Sequence, residues 1–158
     1  MSAPGPLRQP DVERTRFEPP QSEATRPFWA ASRDRRLVLQ WCRTCERAIH
    51  YPRDACPRCL GEALEFRPSP GVGTVYAISV MPKPANPLMA GREPYAVALI
   101  DLDEGVRFMS NVVGIDPYAV QVGMPVRLTW EPLSDGRHLP QFAPISPGGE
   151  NETSAEVA

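Results

Sequence analysis

Four cysteines carry the clearest chemistry in this sequence. Cys42, Cys45, Cys56 and Cys59 fall in the pattern C-x2-C-x10-C-x2-C, with no further cysteine left over. In each pair, Cys42-Arg43-Thr44-Cys45 and Cys56-Pro57-Arg58-Cys59, one tight turn can aim both sulfurs at a single tetrahedral cation. This is the form of a structural zinc site closed by thiolates, with no position for water. So short a segment cannot bury a core of its own, whereas a structural zinc contributes roughly 10 to 16 kcal/mol of apparent binding energy. The metal is therefore expected to be the core of a ribbon, helped by packing of Leu39, Trp41, Ile49 and Tyr51. Two disulfides or a redox C-x-x-C are the competing readings, disfavoured by the paired spacing and by an N-terminus without an apolar signal core. Iron in the same four-sulfur cage would look identical in sequence.

No other residues assemble into a recognisable reacting centre. The only histidines are His50 and His138, and neither is spaced to pair with a nucleophile or a second ligand. Both are expected on a strand or at the surface; His50 beside the ribbon could replace a cysteine ligand, but the four thiolates present favour the plainer reading. Asp101, Asp103 and Glu104 flank a hairpin turn, where carboxylates serve solvation and local hydrogen bonding more often than acid-base work. Gly71-Val72-Gly73 is too short to cradle a phosphate and instead suits a strand that starts at a bend. No catalytic residue is expected.

The bulk numbers set the frame. With 158 residues, 42% of them hydrophobic and 23% charged, the chain is expected to be a soluble globular protein of one ordinary domain or two small ones. No apolar run approaches the roughly 18 residues of a membrane helix, so a cytoplasmic location is expected. The 20 prolines exceed the usual share of about 5% and gather in segments that read as linkers, turns and loops. The net charge of -2 is unevenly spread: the first 61 residues are net basic and the rest net acidic. An acidic second half argues against a nucleic-acid groove there, because phosphate binding rests on clustered Lys and Arg.

The elements that must position the cysteines can be read from periodicity. Residues 1–21 suit an extended, disordered arm. Residues 22–36 read as a docking helix, with Ser22 or Thr25 as cap and Phe28 and Trp29 as its buried or docking face. Arg33, Arg35 and Arg36 on that helix fit either a partner or a solvated face. From Leu37 the period becomes two, so a strand runs into Cys42, and a second through Leu64 and Phe66 returns beside it, completing a zinc ribbon over residues 37–67.

Residues 68–145 read as successive strands. Thr74, Tyr76, Ile78 and Val80 alternate, as do Tyr95, Val97 and Leu99; Asp103-Glu104-Gly105 turns the chain into Val106, Phe108 and Ser110. Asp116-Pro117 marks one helical turn. Gly123-Met124-Pro125 opens a strand through Val126, Leu128 and Trp130, and Ser134-Asp135-Gly136 returns it through Leu139 to Ala143. Five short strands with one helical insertion fit a closed barrel of the OB type better than a sandwich. The expected fold is mainly β: an N-terminal helix and zinc ribbon, then a five-stranded OB-fold barrel, with residues 146–158 a disordered acidic tail.

An ordered set of short motifs carries a resemblance. It consists of Phe28-Trp29, Leu37-Val38-Leu39-Gln40, the two cysteine knuckles, Gly73-Thr74-Val75-Tyr76, Pro94-Tyr95, Ser110-Asn111-Val112-Val113-Gly114 and Gly123-Met124-Pro125-Val126. Over residues 28–145 the chain resembles the thiolase-associated family that joins a rubredoxin-like zinc ribbon to an OB-fold, long known only as a domain of unknown function. It departs at the second knuckle, where Leu60 precedes Gly61 instead of glycine directly following the cysteine, which leaves the metal ligands intact.

The resemblance implies a non-catalytic accessory subunit. Members bind thiolase-superfamily enzymes, among them sterol-carrier-protein-type thiolases and aldolases, and help hold acyl-CoA. Related members serve ketothiolase complexes, polyketide acyltransferases and retro-aldol enzymes that shorten sterol side chains, so lipid or steroid metabolism is the expected setting and a hetero-oligomer the expected state. With that expectation, the loop over residues 81–94, carrying Lys83, Asn86, Leu88, Met89 and Arg92, is a candidate to lie along a pantetheine arm, with Lys83 and Arg92 meeting its phosphates. A proline-stiffened connection without ligand is the other reading. The alternative function is a single-stranded nucleic-acid-binding module, since zinc ribbons and OB-folds both serve that purpose. Tyr76, Phe108 and Trp130 are the aromatics it would use, though at alternating positions they are expected in the core.

Overall fold

The computed structural model describes residues 18–84 and 87–145. The arm before residue 18, Asn86 and the tail from residue 146 lie outside the described residues. The first element, α1 (Arg26–Arg33), is shorter than residues 22–36 because Pro27 sits in its first turn and Asp34 ends it, after which Arg35 takes a φ of 54° and reverses the chain. Thr25 is the N-cap, but its side chain makes no cap bond. Its hydroxyl accepts instead from the Ser22 backbone N–H at 2.9 Å, while Ser22 Oγ accepts from the Thr25 N–H at 3.3 Å. A helix of two turns is not stable alone. It is held by burial of Phe28, Trp29 and Ala31, and by Ser32, whose carbonyl meets His138 Nδ1 at 3.0 Å.

The ribbon follows. β1 (Leu37–Cys42) is the middle strand of a three-stranded antiparallel sheet, flanked by β2 (Arg47–Ile49) and β3 (Leu64–Ser69). Only three residues long, β2 shows no period to read, and sequence patterning missed it. At the second knuckle, Leu60 occupies the left-handed region at φ 60°, a conformation costing an L side chain roughly 1 to 2 kcal/mol. The turn is closed around it by Leu60 N–H donating to Cys56 O and Cys56 N–H donating to Gly61 O, both 2.9 Å. The departure at Leu60 therefore leaves the knuckle's form unchanged, and the side chain is directed into solvent, 77% exposed.

Five strands, β4 (Val72–Met81), β5 (Tyr95–Leu102), β6 (Arg107–Val112), β7 (Pro125–Pro132) and β8 (His138–Pro144), close a barrel in the order β4-β5-β6-β8-β7. All pairings are antiparallel except the closing one, where Val112 meets Phe142 in parallel. The expected helical turn stands between β6 and β7 at Pro117–Ala119, with Asp116 accepting the Tyr118 N–H at 3.0 Å. The mainly β fold expected from periodicity is the fold found.

Two faces differ from simple alternation. A bulge between Val75 and Ala77 shifts the register of β4, so Val75 points inward while Tyr76 is half exposed beneath the Arg107 guanidinium, 3.3 Å from its ring centre. On β5 it is Ala96, Ala98, Ile100 and Leu102 that fill the barrel. Tyr95 and Val97 face outward, under α1 and the ribbon loop. Gly73 is required where it stands: a Cβ there would lie 2.5 Å from the Asp101 carbonyl oxygen. Among the described residues no helix is long and apolar enough to cross a membrane.

Candidate metal centre and adjoining cavity

β1 delivers Cys42 at its last residue, fully buried, and the two knuckles bring Cys45, Cys56 and Cys59 to it. All four sulfurs lie within 4.8 Å of one another. A cation held at about 2.3 Å by four sulfurs at tetrahedral corners sets the sulfurs about 3.8 Å apart. The Cys42–Cys59 separation is 3.7 Å and the Cys45–Cys56 separation 4.0 Å, so the residues present fit a four-thiolate metal, and the cysteines are unbridged. Each knuckle aims a backbone N–H at its first sulfur, Cys45 N–H at Cys42 Sγ and Arg58 N–H at Cys56 Sγ, both 3.4 Å. Cys45 and Cys56 are shifted in opposite directions. Backbone N–H groups of Cys59 and Arg58 lower Cys56 to about 6, whereas the hydrogen bond shared with Cys59, and then burial, push Cys45 up to about 12. Binding a cation must displace protons from the set, so affinity weakens as pH falls.

The ribbon is tied to the loop after β2 by a residue that patterning assigned only to a strand face. Gln40, 4% exposed, donates through Nε2 to Arg53 O at 2.8 Å and accepts the Arg53 N–H at Oε1 at 3.0 Å. This clamp positions His50, Tyr51 and Pro52 against the barrel. His50 stacks on Phe108, ring centres 4.2 Å apart and planes 15° from parallel, with Tyr51 on its other neighbour side at 4.0 Å. It is not a surface histidine, and Nε2 is enclosed without a hydrogen-bond partner.

Burial, with the Arg53 guanidinium second, lowers His50 to about 4, so the imidazole is neutral in the folded protein at physiological pH. Because the folded value is depressed below the ordinary 6.5, the unfolded chain takes up the proton first. Stability is full above pH 6.5, declines as pH falls toward 4, and levels off below that. The expected loss is on the order of 3 kcal/mol, measured as the difference in urea midpoints between the parent chain and His50→Phe from pH 7 to pH 4. Identical slopes for the two would refute it.

Between α1, this loop and the outer faces of β5 and β6 lies a cavity of about 460 Å³, open at one side. Pro19 and Pro20 form part of its wall. They are strapped down by Arg137 Nη1 donating to Pro19 O at 2.8 Å and by Ser134 N–H donating to Glu18 Oε1 at 2.6 Å. Arg137 is itself buried, 4.7 Å over the Trp29 ring and bonded to Asp135 at 2.6 Å.

The residues singled out from sequence are only partly brought together. Phe28 and Trp29 are committed to the chain's own core, and Arg33 and Arg35 turn to its own barrel, Arg33 donating to Asp135 O at 2.7 Å and Arg35 to His138 Nε2 at 3.4 Å. Arg36 pairs with Asp34 at the surface. Lys83 is exposed, while Arg92 is bound to Glu131 at 2.6 Å; neither lines the cavity, although Met89 of the same loop does. Asp101 is held below the usual carboxylate range by the Arg107 guanidinium that grips it. The Glu104 oxygens are enclosed without a partner. Of the aromatic trio, Phe108 is core, Trp130 half-buried beside His138, and Tyr76 is covered by Arg107, so they form no open stacking platform.

Comparison with known proteins agrees with this architecture. Residues 29–65 match the ChsH2 rubredoxin-like zinc ribbon domain and residues 66–131 the ChsH2 C-terminal OB-fold domain. A chain of the solved Ltp2-ChsH2(DUF35) aldolase is similar over 80% of this chain and 98% of its own length, with a TM-score of 0.72 and 36% sequence identity. Two curated relatives are a probable enoyl-CoA hydratase alpha subunit of Thermomonospora curvata, 39% identical over 125 residues, and a 3-oxo-4,17-pregnadiene-20-carboxyl-CoA hydratase alpha subunit of Mycobacterium tuberculosis, 34% identical over 121 residues. These matches take in 78% and 75% of this chain but only 39% and 37% of those proteins, so the chain spans about two fifths of their length.

Proposed function

Because this chain belongs to the ChsH2 (DUF35) family, in which a rubredoxin-like zinc ribbon is joined to an OB-fold, we propose that it is a non-catalytic subunit of a thiolase-like or aldolase-like complex. In this reading it binds a thiolase-superfamily enzyme, of thiolase or sterol side-chain aldolase type, and helps position an acyl-CoA of lipid or steroid metabolism. Cys42, Cys45, Cys56 and Cys59 hold a structural zinc that fixes the ribbon. The observation that carries the reading is the near end-to-end likeness to the ChsH2-type chain of an aldolase. The two hydratase relatives, one named for a steroid-like carboxyl-CoA, support an acyl-CoA setting. The engagement of His138, Asp101, Asp135 and Glu131 in structural hydrogen bonds and ion pairs supports an accessory role.

Lys83 and Arg92 are the proposed contacts for the phosphates of CoA. Arg92 must share its guanidinium between phosphate and Glu131 to serve, whereas Lys83 is free to reach from the loop surface.

The tagged chain, captured from cells of its own source, should bring down a thiolase-superfamily subunit in near-stoichiometric amount, identified by mass spectrometry. Recovery of monodisperse chain with no such subunit, or micromolar salt-sensitive binding of a single-stranded oligonucleotide in its place, would overturn the reading.

A further inference from the structure

The cavity beside the ribbon is built for one kind of chemistry. Among the described residues that line it none is Lys, Arg, Asp or Glu, and the imidazole among them, His50, stays neutral at physiological pH. Its small polar side chains are already engaged: Ser110 Oγ donates to Pro140 O at 2.8 Å, Asn111 Nδ2 to Ala96 O at 2.9 Å, and Thr25 Oγ1 to Ser22 O at 3.3 Å. Apart from the His50 ring nitrogen and the hydroxyls of Tyr51 and Tyr95, the remaining described lining is aromatic and aliphatic. Phe28 and Trp29 meet edge to face at 5.0 Å, and Phe108 lies flat under His50.

Size and exposure point the same way. A volume of about 460 Å³ lies within the roughly 300 to 1,000 Å³ of small-molecule sites. Two of the six exposed large apolar side chains among the described residues, Tyr51 at 51% and Met109 at 55%, belong to this cavity. Exposed apolar groups gathered at one cavity mark a ligand or partner contact in a way that scattered ones do not. A polyphosphate, by contrast, needs cations or oriented donors, and the described residues of this wall include no Lys or Arg.

We infer that this cavity takes the uncharged hydrocarbon body of an acyl thioester, with the charged CoA arm lying outside it. The inference rests on the acyl-CoA part of the proposed function. It deepens that reading by separating the two ends of the ligand: hydrocarbon between α1, the ribbon loop and the barrel, phosphates elsewhere.

Isothermal titration of the zinc-loaded chain, without partner, tests it with decanoyl-CoA, decan-1-ol, 1-adamantanol and free CoA as probes. Decanoyl-CoA should bind at least tenfold tighter than free CoA, and at least one alcohol should bind submillimolar. The tighter of the two alcohols tells whether a flexible chain or a compact ring fills the space. Val97→Trp, which fills the cavity from β5, should weaken the alcohols at least tenfold with metal content unchanged. Met109→Glu, at an exposed position that folding does not depend on, should do the same should the tryptophan variant not fold. Free CoA binding as tightly as decanoyl-CoA, or alcohol binding indifferent to both substitutions, would overturn the inference. So would absence of alcohol binding together with loss of partner capture in Met109→Glu, which would make the cavity a seat for a partner side chain. Partner capture is read separately, so failure of the hydrocarbon site and failure of the accessory-subunit reading are distinguishable.

Discussion

Cys42→Ala is expected to strip the chain of its metal and to lower its melting temperature by about 10 °C or more. The zinc content by elemental analysis should fall from one per chain to well below one, and residues 43–62 should become sensitive to protease. The reason is positional. Cys42 is fully buried at the end of β1, paired to β2 through Arg47 and to β3 through Leu64, so the ligand is also the junction of the three ribbon strands. A structural zinc contributes roughly 10 to 16 kcal/mol to such a site, and in a chain of this size each kcal/mol lost shifts the midpoint by about 2 to 4 °C. Losing about half of the metal's contribution is therefore enough for the stated shift. The effect should spread, because Leu37 and Leu39 of the same strand belong to one buried cluster with Phe28, Phe108 and Phe142 of helix and barrel. A variant that keeps full metal and an unchanged midpoint would refute this account. Iron in place of zinc would revise the metal and leave the cage as described.

Phe142→Ala should cost about 3 to 5 kcal/mol, measured from urea midpoints. Phe142 is completely buried, the largest fully enclosed side chain, and meets Phe108 edge to face at 5.8 Å. It also stands at the barrel's seam. Its backbone pairs with Leu128 on β7 and with Val112 in the single parallel contact that closes the barrel, and its carbonyl accepts the Val113 N–H at 2.8 Å. Truncation leaves a cavity where β6, β7 and β8 converge, and strands locked in a closed barrel cannot collapse into it. Since a domain's whole stability is about 5 to 15 kcal/mol, the variant should be partly unfolded near 37 °C. Phe142→Leu should retain most of the lost stability. A loss for the alanine variant under about 1 kcal/mol would mean that the seam is held by the backbone alone.

The elements of the fold were legible in the sequence to the extent that their causes are local. Two pairs of cysteines, each with two residues between its members, favour a pair of knuckles. Asp116 before Pro117 and glycines at positions 105, 123 and 136, all with positive φ, mark turns whatever surrounds them. The inward faces were less legible. Alternation on β4 was read straight through Tyr76, but the bulge after Val75 moves the strand's register, and only the partner strand β5 imposes it. On β5 the alternation of Tyr95, Val97 and Leu99 drew attention, whereas the barrel interior takes the other face, Ala96, Ala98, Ile100 and Leu102.

The least legible features join distant positions. Arg137 reaches Pro19, 118 residues away, and Arg33 reaches Asp135, 102 residues away. Arg33, which reads as solvated or partner-facing, and Arg137, which no pattern singled out, thus hold the chain to itself. His50 had no partner within its own neighbourhood to betray it; its ring is defined by Phe108 of the barrel.

The sequence by itself determined which four cysteines can meet at one metal centre, most strand and turn positions and the mainly β class, because these follow from spacing and backbone preference over a few residues. The tertiary structure decided which faces are buried, that the helix docks on its own barrel, and that an uncharged cavity opens between helix, ribbon and barrel. Those depend on side chains from separate elements meeting at van der Waals distance, and no window along the chain contains that information.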